Sequence, residues 1–459
     1  MAKEQNNSNF VAAIILGSSK MTGIVGRKES TGSLTVLAHT AVPSTDFITK
    51  GRVYNVEKMM ASLKSIKEAL EEKTNRRISH VYTAIDCMGI RSIPNTVEKI
   101  YPQRETMTQE IINSILTDNR EKGTEERIIL EAIPLEYRLG SINTTEPIGV
   151  MSDSIKAHFL NIVCNRTAIE TIESCFNKAG ILIARQTLAA TQLASIVTTE
   201  QERNAGCVFV DMGSETTSVA IYKGKSLRHL AVIPLGGANI TRDIANVFNC
   251  DEAEAEDLKR TYGYPDFEFL EKEGNEPIHL RDGGRNRSRQ ELAEIIDARV
   301  EEIVQNIKHQ VEASGFNSEN LVNGIYIIGG AGQLGNIGQC FEHHFKGWNT
   351  RILKTPSRIK VEGADYNFNE TGLYNVGLAL IENGDLNCNG GERPTAPTDL
   401  FAQEETPEPE PTEVPTSPLE PSVPETPQEE EAPKPAKPKG PGFFTRVGNF
   451  LKNLVSEDE

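Results

Sequence analysis

Apolar residues fall along this chain in two kinds of pattern. Short unbroken runs stop at glycine-rich turns, as at Val11–Leu16 before Gly17-Ser18-Ser19-Lys20 and at Cys207–Val210 before Asp211-Met212-Gly213-Ser214-Glu215-Thr216-Thr217. The chain leaves each turn through a second apolar stretch, so both read as strand–turn–strand hairpins. Elsewhere the spacing is helical. Positions 292, 295, 296, 300, 303, 304, 307 and 311 are apolar, which predicts a helix packed on one face and charged on the other. Two further runs, AVIPLGGANITRDIANVF and NGIYIIGGAGQLGNI, pass from a strand through Gly236-Gly237 and Gly329-Gly330 into a predicted helix.

The pattern stops near residue 390. Residues 394–441 hold 14 of the 23 prolines among Glu, Thr and Ser, with almost no large apolar side chains. Such a segment cannot bury enough surface to offset its ordering entropy, so a disordered linker is expected over 391–441. Helical spacing returns after Gly442. Phe443, Phe444, Val447, Phe450, Leu451, Leu454 and Val455 fall within an arc of about 140°, with Arg446 and Lys452 on the other side and Lys434, Lys437 and Lys439 upstream. An amphipathic helix on a tether, over 442–457, reads as one that lies on a membrane surface, or else in a partner's groove. Seven side chains sinking partway into lipid gain roughly 7–12 kcal/mol gross. Ordering the segment opposes this with about 1 kcal/mol per residue. One copy is then a reversible anchor, and many copies on one polymer bind firmly by avidity.

Charge sharpens the division. The 459 residues carry a net charge of −17, and eleven carboxylates with no Lys or Arg lie within 399–431. The remaining body is mildly acidic, which argues against nucleic acid as a partner, since that needs a basic footprint. Seven scattered cysteines without CxxC spacing suit a reducing compartment rather than a disulfide frame or a zinc site. No stretch approaches eighteen apolar residues, and the polar start is no signal peptide, so neither spanning nor secretion is expected.

The glycine turns carry the candidate chemistry. Gly17 and Gly213 let backbone approach a ligand, and the hydroxyls and amides of Ser18, Ser19, Ser214, Thr216 and Thr217 can face phosphate oxygens. Lys20 adds a point charge, and Asp211 can hold a magnesium ion through its water. Gly236-Gly237 and Gly329-Gly330 would each aim a helix N-terminus at an anion. Either hairpin alone is equally an ordinary tight turn; their similarity across almost 200 residues suggests an internally duplicated, two-lobed fold. Gly330, Gly332 and Gly335 form a GxGxxG, but residues 343–361 offer no acidic residue for a ribose. Glu256 and Lys259 stand three apart on a helix, the spacing of a surface ion pair. No P-loop, nucleophile elbow or HExxH is present, and no catalytic residue can be named.

In order, GSSK, DMGSETT, PLGGANITRDIA, AEDLKRTYG, DARVEEIV, IIGGAGQLG, ETGLYNVGLAL and FFTRVGNFLKNLV resemble the actin/Hsp70/sugar-kinase superfamily, and in detail its FtsA family of bacterial cell-division proteins. The resemblance covers about residues 10–385 and the last seventeen. It implies an α/β, two-lobed actin-like ATPase fold. The first lobe's large subdomain would span 10–80 and 165–200, with a family-specific small subdomain over 81–164. The second lobe's large subdomain would span 201–225 and 310–390, and its small subdomain 226–309. It implies ATP with Mg2+ between the lobes, with Gly17–Lys20 and Asp211–Thr217 at the phosphates, Glu256 and Lys259 flanking the adenosine, and Gly329-Gly330 at the adenosine turn. The family role is to self-associate into filaments on the cytoplasmic side of the inner membrane at the septum. There it binds the C-terminal peptide of the tubulin-like FtsZ, here with Arg299 as a contact, and meets later division proteins.

Three positions depart from the superfamily pattern: Ile15, Ser218 and Ile328 stand where Asp or Glu, Asp, and Thr are usual. Two carboxylates fewer beside the metal imply ATP binding with slow or negligible hydrolysis. A pilus-assembly ATPase of the PilM type has a similar body but does not require the basic-flanked terminal helix. A small-molecule kinase of the same superfamily would need a catalytic Asp beside an acceptor pocket.

Overall fold

Both hairpins form, and each sits beside a parallel strand that arrives from further along the chain. In the first, Val11–Leu16 pairs antiparallel with Lys20–Lys28, Leu16 opposite Met21. In the second, Cys207–Met212 pairs with Thr217–Lys223, Met212 opposite Thr217. His80–Ile85 lies parallel to the first strand of the first hairpin, and Ile325–Ile328 occupies the same place beside the second. This repetition is the structural form of the duplication expected from the two similar turns. The computed structural model describes residues 10–265, 277–281, 286–356, 359–363 and 372–392.

The first sheet has six strands, in the order Leu182–Leu188, His80–Ile85, Val11–Leu16, Lys20–Lys28, Leu34–Pro43, Val361–Glu362. Helices Val56–Thr74 and Asn375–Asn383 cover it through buried Met59, Leu63, Ile66 and Leu70 and through Leu378–Ile381. The second hairpin belongs to a nine-stranded sheet. Ser226–Ile233, Thr217–Lys223, Cys207–Met212, Ile325–Ile328 and Thr350–Ile352 form one end of it. The other end comes from an insertion between the first sheet's strands, with Arg91–Thr106, Met151–Asn165 and Arg127–Leu139 packed under helix Gln109–Glu121. The two ends meet where Ala231 pairs with Arg91.

The periodic stretch is helix Arg289–Ala313. Leu292, Ile296, Val300, Ile303, Val304, Ile307 and Val311 are buried as the spacing requires, each contributing about 1.5–3 kcal/mol by burial. Its start is set by Ser288, whose hydroxyl accepts the Glu291 amide while the Glu291 carboxylate returns to the Ser288 amide. Helix Gly237–Phe248 follows Gly236-Gly237 as expected.

The second glycine pair differs from expectation. After Ile325–Ile328 the chain turns at Gly329, φ +94°, into a three-residue 3-10 turn, and helix Ile337–His344 begins only beyond Asn336. No helix N-terminus is therefore aimed from Gly329-Gly330, and the GxGxxG is not a dinucleotide turn. Asn389–Glu392 pairs with Arg76–Ile78, so regular structure continues two residues into the expected linker. The rest of that linker and the helix expected over 442–457 lie outside the described residues.

Candidate functional site

The first turn is held from below by Ser44, whose hydroxyl donates to the Gly17 carbonyl at 2.6 Å and whose amide donates to the Ser19 carbonyl at 3.1 Å. A Cβ on Gly17 would lie 2.6 Å from the Lys20 carbonyl oxygen, so the tight turn requires glycine there. Ser18 is buried and its hydroxyl accepts the Gly51 amide at 3.0 Å, whereas Ser19 and Lys20 are exposed. In the second turn the Gly213 amide donates to the Thr216 carbonyl at 2.8 Å. Thr217 is fully buried and donates to the Leu235 carbonyl at 2.8 Å, so its hydroxyl faces the protein rather than a ligand.

Asp86 joins the two turns. It follows His80–Ile85, whose register sets Ala84 beside Ile15, so the strand delivers it level with the first turn. Its carboxylate accepts the Thr216 hydroxyl at 2.7 Å and a very short bond from the Ser218 hydroxyl, both from the second hairpin. Glu215 makes a second connection: it accepts the Lys50 amide at 2.7 Å and is ion-paired with Arg242 on helix Gly237–Phe248.

Sequence reasoning missed Asp86, Glu215 and Ser44. For Asp86 the available signal was an apolar strand, HVYTAI, ending in an acid. Its presence also corrects the expectation that Ser218 leaves the site short of a carboxylate. Ser218 is where the acid of another strand is bound.

Asp211 lies beside this contact. Burial and the nearby charge of Asp86 push its carboxyl up to about 7, and among the described residues no hydrogen bond reaches it. Gly329 closes over it: a Cβ there would come within 2.4 Å of both Asp211 Oδ1 and the Met212 carbonyl. Asp86 is likewise pushed up by its burial, against the lowering effect of the Ser218 and Thr216 hydroxyls.

Gly236 and Gly237 are in contact with the second turn, but in a different role from the one expected. The Gly237 and Ala238 amides donate to the Gly213 and Ser214 carbonyls at 3.0 and 2.7 Å. The first amides of the helix therefore brace the hairpin instead of standing open to an anion. The Glu256–Lys259 pair is not a solvated surface pair. Lys259 is buried, and its ammonium donates to the Gly237 carbonyl at 3.0 Å, Thr241 Oγ1 at 2.9 Å and Glu256 Oε2 at 2.6 Å, which engages all three protons. Its pKa is lowered by burial, with Glu256 opposing. Gly330 faces open space. Arg299 forks onto Asp243, with Nε to Oδ2 at 2.6 Å and Nη2 to Oδ1 at 3.1 Å, and also pairs with Glu302. It is thus not a free surface cation. The residues expected to face a membrane, Phe443 to Val455, lie outside the described residues.

Known proteins share both the sequence and the fold. The family model of the cell division protein FtsA matches residues 208–372. The chain is 27% identical over 403 residues to the cell division protein FtsA of Escherichia coli K12, covering 83% of this chain and 92% of that one. It is 26% identical over 347 residues to the FtsA of Neisseria meningitidis serogroup B, covering 74% and 83%. With the FtsA of Bacillus subtilis it shares 23% over 368 residues, covering 79% and 82%. Among solved structures, a chain of the PilM–PilN type IV pilus biogenesis complex superposes with a TM-score of 0.58 at 17% identity, over 81% of this chain and 97% of that one. The fold is actin-like, two lobes each built on a turn-bearing hairpin, and over most of its length the chain is similar to cell division proteins FtsA.

Proposed function

We propose that this actin-like cell-division protein binds ATP between its two hairpins and, as a filament beneath the inner membrane, tethers the FtsZ ring. The observation that supports the nucleotide reading is the position of Asp86, set level with the first turn by its strand's register and bound by the Thr216 and Ser218 hydroxyls of the second hairpin, which puts the two glycine turns near one another. Gly17, Ser18, Ser19 and Lys20 would face one side of the phosphates, and Asp211, Gly213, Ser214 and Thr216 the other. Glu256, Lys259, Gly329 and Gly330 would border the adenosine.

The residues present fit a magnesium ion. Asp211 is a hard oxygen donor whose carboxylate has no hydrogen bond among the described residues and is raised toward neutrality first by burial and then by Asp86, and a hydrated divalent cation would relieve that repulsion. When bound, the ion would neutralise phosphate charge. Turnover is proposed to be slow. Asp86 is engaged by two hydroxyls rather than free to orient a water, and Ile15 and Ile328 supply no acid or hydroxyl.

The FtsZ C-terminal peptide is assigned to the second lobe's small subdomain, about 226–309, where Arg299 would act mainly by holding the surface in shape. The terminal helix, from Phe443 to Val455, is assigned to the lipid surface, and the acidic linker to keeping the body off it. Among the described residues no helix is long and apolar enough to cross a membrane. The pilus-type reading rests on shared fold alone. Vesicle flotation of the full chain and of a truncation at Pro441, each with FtsZ and ATP, tests the proposal. The full chain is expected to float and carry FtsZ with it, and the truncation to stay behind. Flotation of both forms, or of neither, removes the anchor assignment.

A further inference from the structure

The insertion leaves the first lobe at Cys87 and returns at Cys164, and the two sulfurs lie 3.4 Å apart. Both side chains are fully buried. Cys87 directly follows Asp86 in a turn closed by the Ile90 amide on the Cys87 carbonyl. Cys164 is the penultimate residue of strand Met151–Asn165, opposite Ile128. The pair therefore spans the neck of a loop whose two ends, 77 positions apart, are already in contact. A disulfide has its sulfurs about 2.05 Å apart, so closing the bond draws the two sulfurs together from 3.4 Å.

We propose that Cys87 and Cys164 are a modification site, forming a reversible disulfide when a small hydroperoxide oxidises them. Their environments divide the roles. The Cys164 thiol is pulled down, first by its contact with Cys87, against its own burial, and further by the Asn165 amide and the Arg52 charge. Cys87 is pushed up, first by the same contact and then by its burial. Cys175, Cys207 and Cys388 are pushed up by burial. Cys164 is accordingly the attacking thiolate. Its sulfur attacks one peroxide oxygen, the O–O bond breaks, the other oxygen leaves as hydroxide or alkoxide, and a sulfenic acid forms. The Cys87 sulfur then attacks Cys164, its proton leaves with the departing hydroxide as water, and the S–S bond replaces the S–O bond. The two thiols lose two electrons and the peroxide gains them. A dithiol reductant reverses the step by exchange.

The neck is also packed against the cleft. A Cβ on Gly51 would lie 2.6 Å from Cys87 Cα and 2.0 Å from the Asp86 carbonyl, and the Gly51 amide holds Ser18. Drawing Cys87 toward Cys164 displaces Asp86 against Thr216 and Ser218. Oxidation should therefore weaken ATP binding about fivefold, a typical coupling between linked sites. This second consequence rests on the nucleotide reading above; the disulfide does not.

The test treats the native full-length protein with hydrogen peroxide and maps linked peptides by mass spectrometry, before and after dithiothreitol. The expected result is a Cys87–Cys164 peptide, two hydrogens lighter than the dithiol pair, that disappears on reduction and is lacking in Cys164→Ser. Native protein in which the pair stays unlinked, or links only in urea, overturns the proposal; because this reading uses wild type, a variant that fails to fold does not affect it. ATP titration of the reduced and oxidised forms follows. Equal affinities overturn the coupling, whereas no binding to the reduced form overturns the nucleotide reading and leaves the disulfide standing on its own.

Discussion

Thr216 donates its hydroxyl to Asp86 at 2.7 Å, and this bond fastens the tip of the second hairpin to the strand that runs beside the first. A buried carboxylate that loses a donor keeps its desolvation penalty without the compensating bond. Thr216→Val conserves shape and removes only the donor, so it should destabilise the protein by about 1–3 kcal/mol. In a double-mutant cycle with Asp86→Asn, followed by urea denaturation, the two changes should be non-additive by about 0.5–3 kcal/mol. Strict additivity would show that the contact carries no energy.

Asp211 sets a pH dependence. Its folded pKa of about 7 lies above the unfolded value of 3.8, so the native state holds an extra proton between the two. Its contribution to stability is complete below the unfolded value and is lost as the pH rises through 7. Cation binding runs the other way, because it needs the carboxylate ionised. Magnesium-dependent nucleotide affinity should rise between pH 6 and 8, and Asp211→Asn should flatten that rise. A profile unchanged by the substitution would remove Asp211 from the metal side.

Two adjacent glycines should behave differently. Alanine at Gly329 meets Asp211 Oδ1 and the Met212 carbonyl at 2.4 Å in a left-handed conformation, and it should cost more than about 2 kcal/mol in thermal unfolding. Alanine at Gly330 meets nothing within 4 Å and should leave stability within about 0.5 kcal/mol. Gly330→Ala thus probes the adenosine assignment cleanly: it should weaken ATP binding without changing the melting temperature. Unchanged affinity would place the adenosine elsewhere.

Arg299 is half-buried in a fork with Asp243 and Glu302, so its loss leaves two carboxylates unpaired. Arg299→Ala should destabilise the small subdomain and weaken FtsZ-peptide binding together, and Asp243→Asn should reproduce both effects in part. Calorimetry beside a peptide titration separates the alternatives. Weakened peptide binding with an unchanged melting profile would make Arg299 a direct contact after all.

Local pattern was enough to find both hairpins, the 25-residue helix and the helix after Gly236-Gly237, because each is encoded by periodicity and a turn within a few residues. What escaped was pairing across long separations. Asp86 reaches Ser218 over 132 positions and Lys50 reaches Glu215 over 165, and nothing in the composition near either residue marks its partner. Lys259 shows the same limit in another form. Its three-residue spacing from Glu256 was visible, but its burial against Gly237 and Thr241 depends on how two helices pack. The three-residue 3-10 turn after Gly329-Gly330 was hidden because a glycine pair permits many continuations, and here Asp211 and Met212 select one of them.

The nine-stranded sheet has a narrow waist. Ala231 faces Arg91, the Val232 amide reaches the Ile90 carbonyl at 3.0 Å, and the Leu230 amide reaches Ser92 Oγ at 2.9 Å. On one side of this waist the strands belong to the second hairpin, and on the other they belong to the insertion. The second hairpin's strands are therefore joined to the insertion through a short stretch, residues 230–232 against 90–92. A load on either half of the sheet would thus reach the other through only a few residues, which makes 90–92 and 230–232 its mechanical weak point.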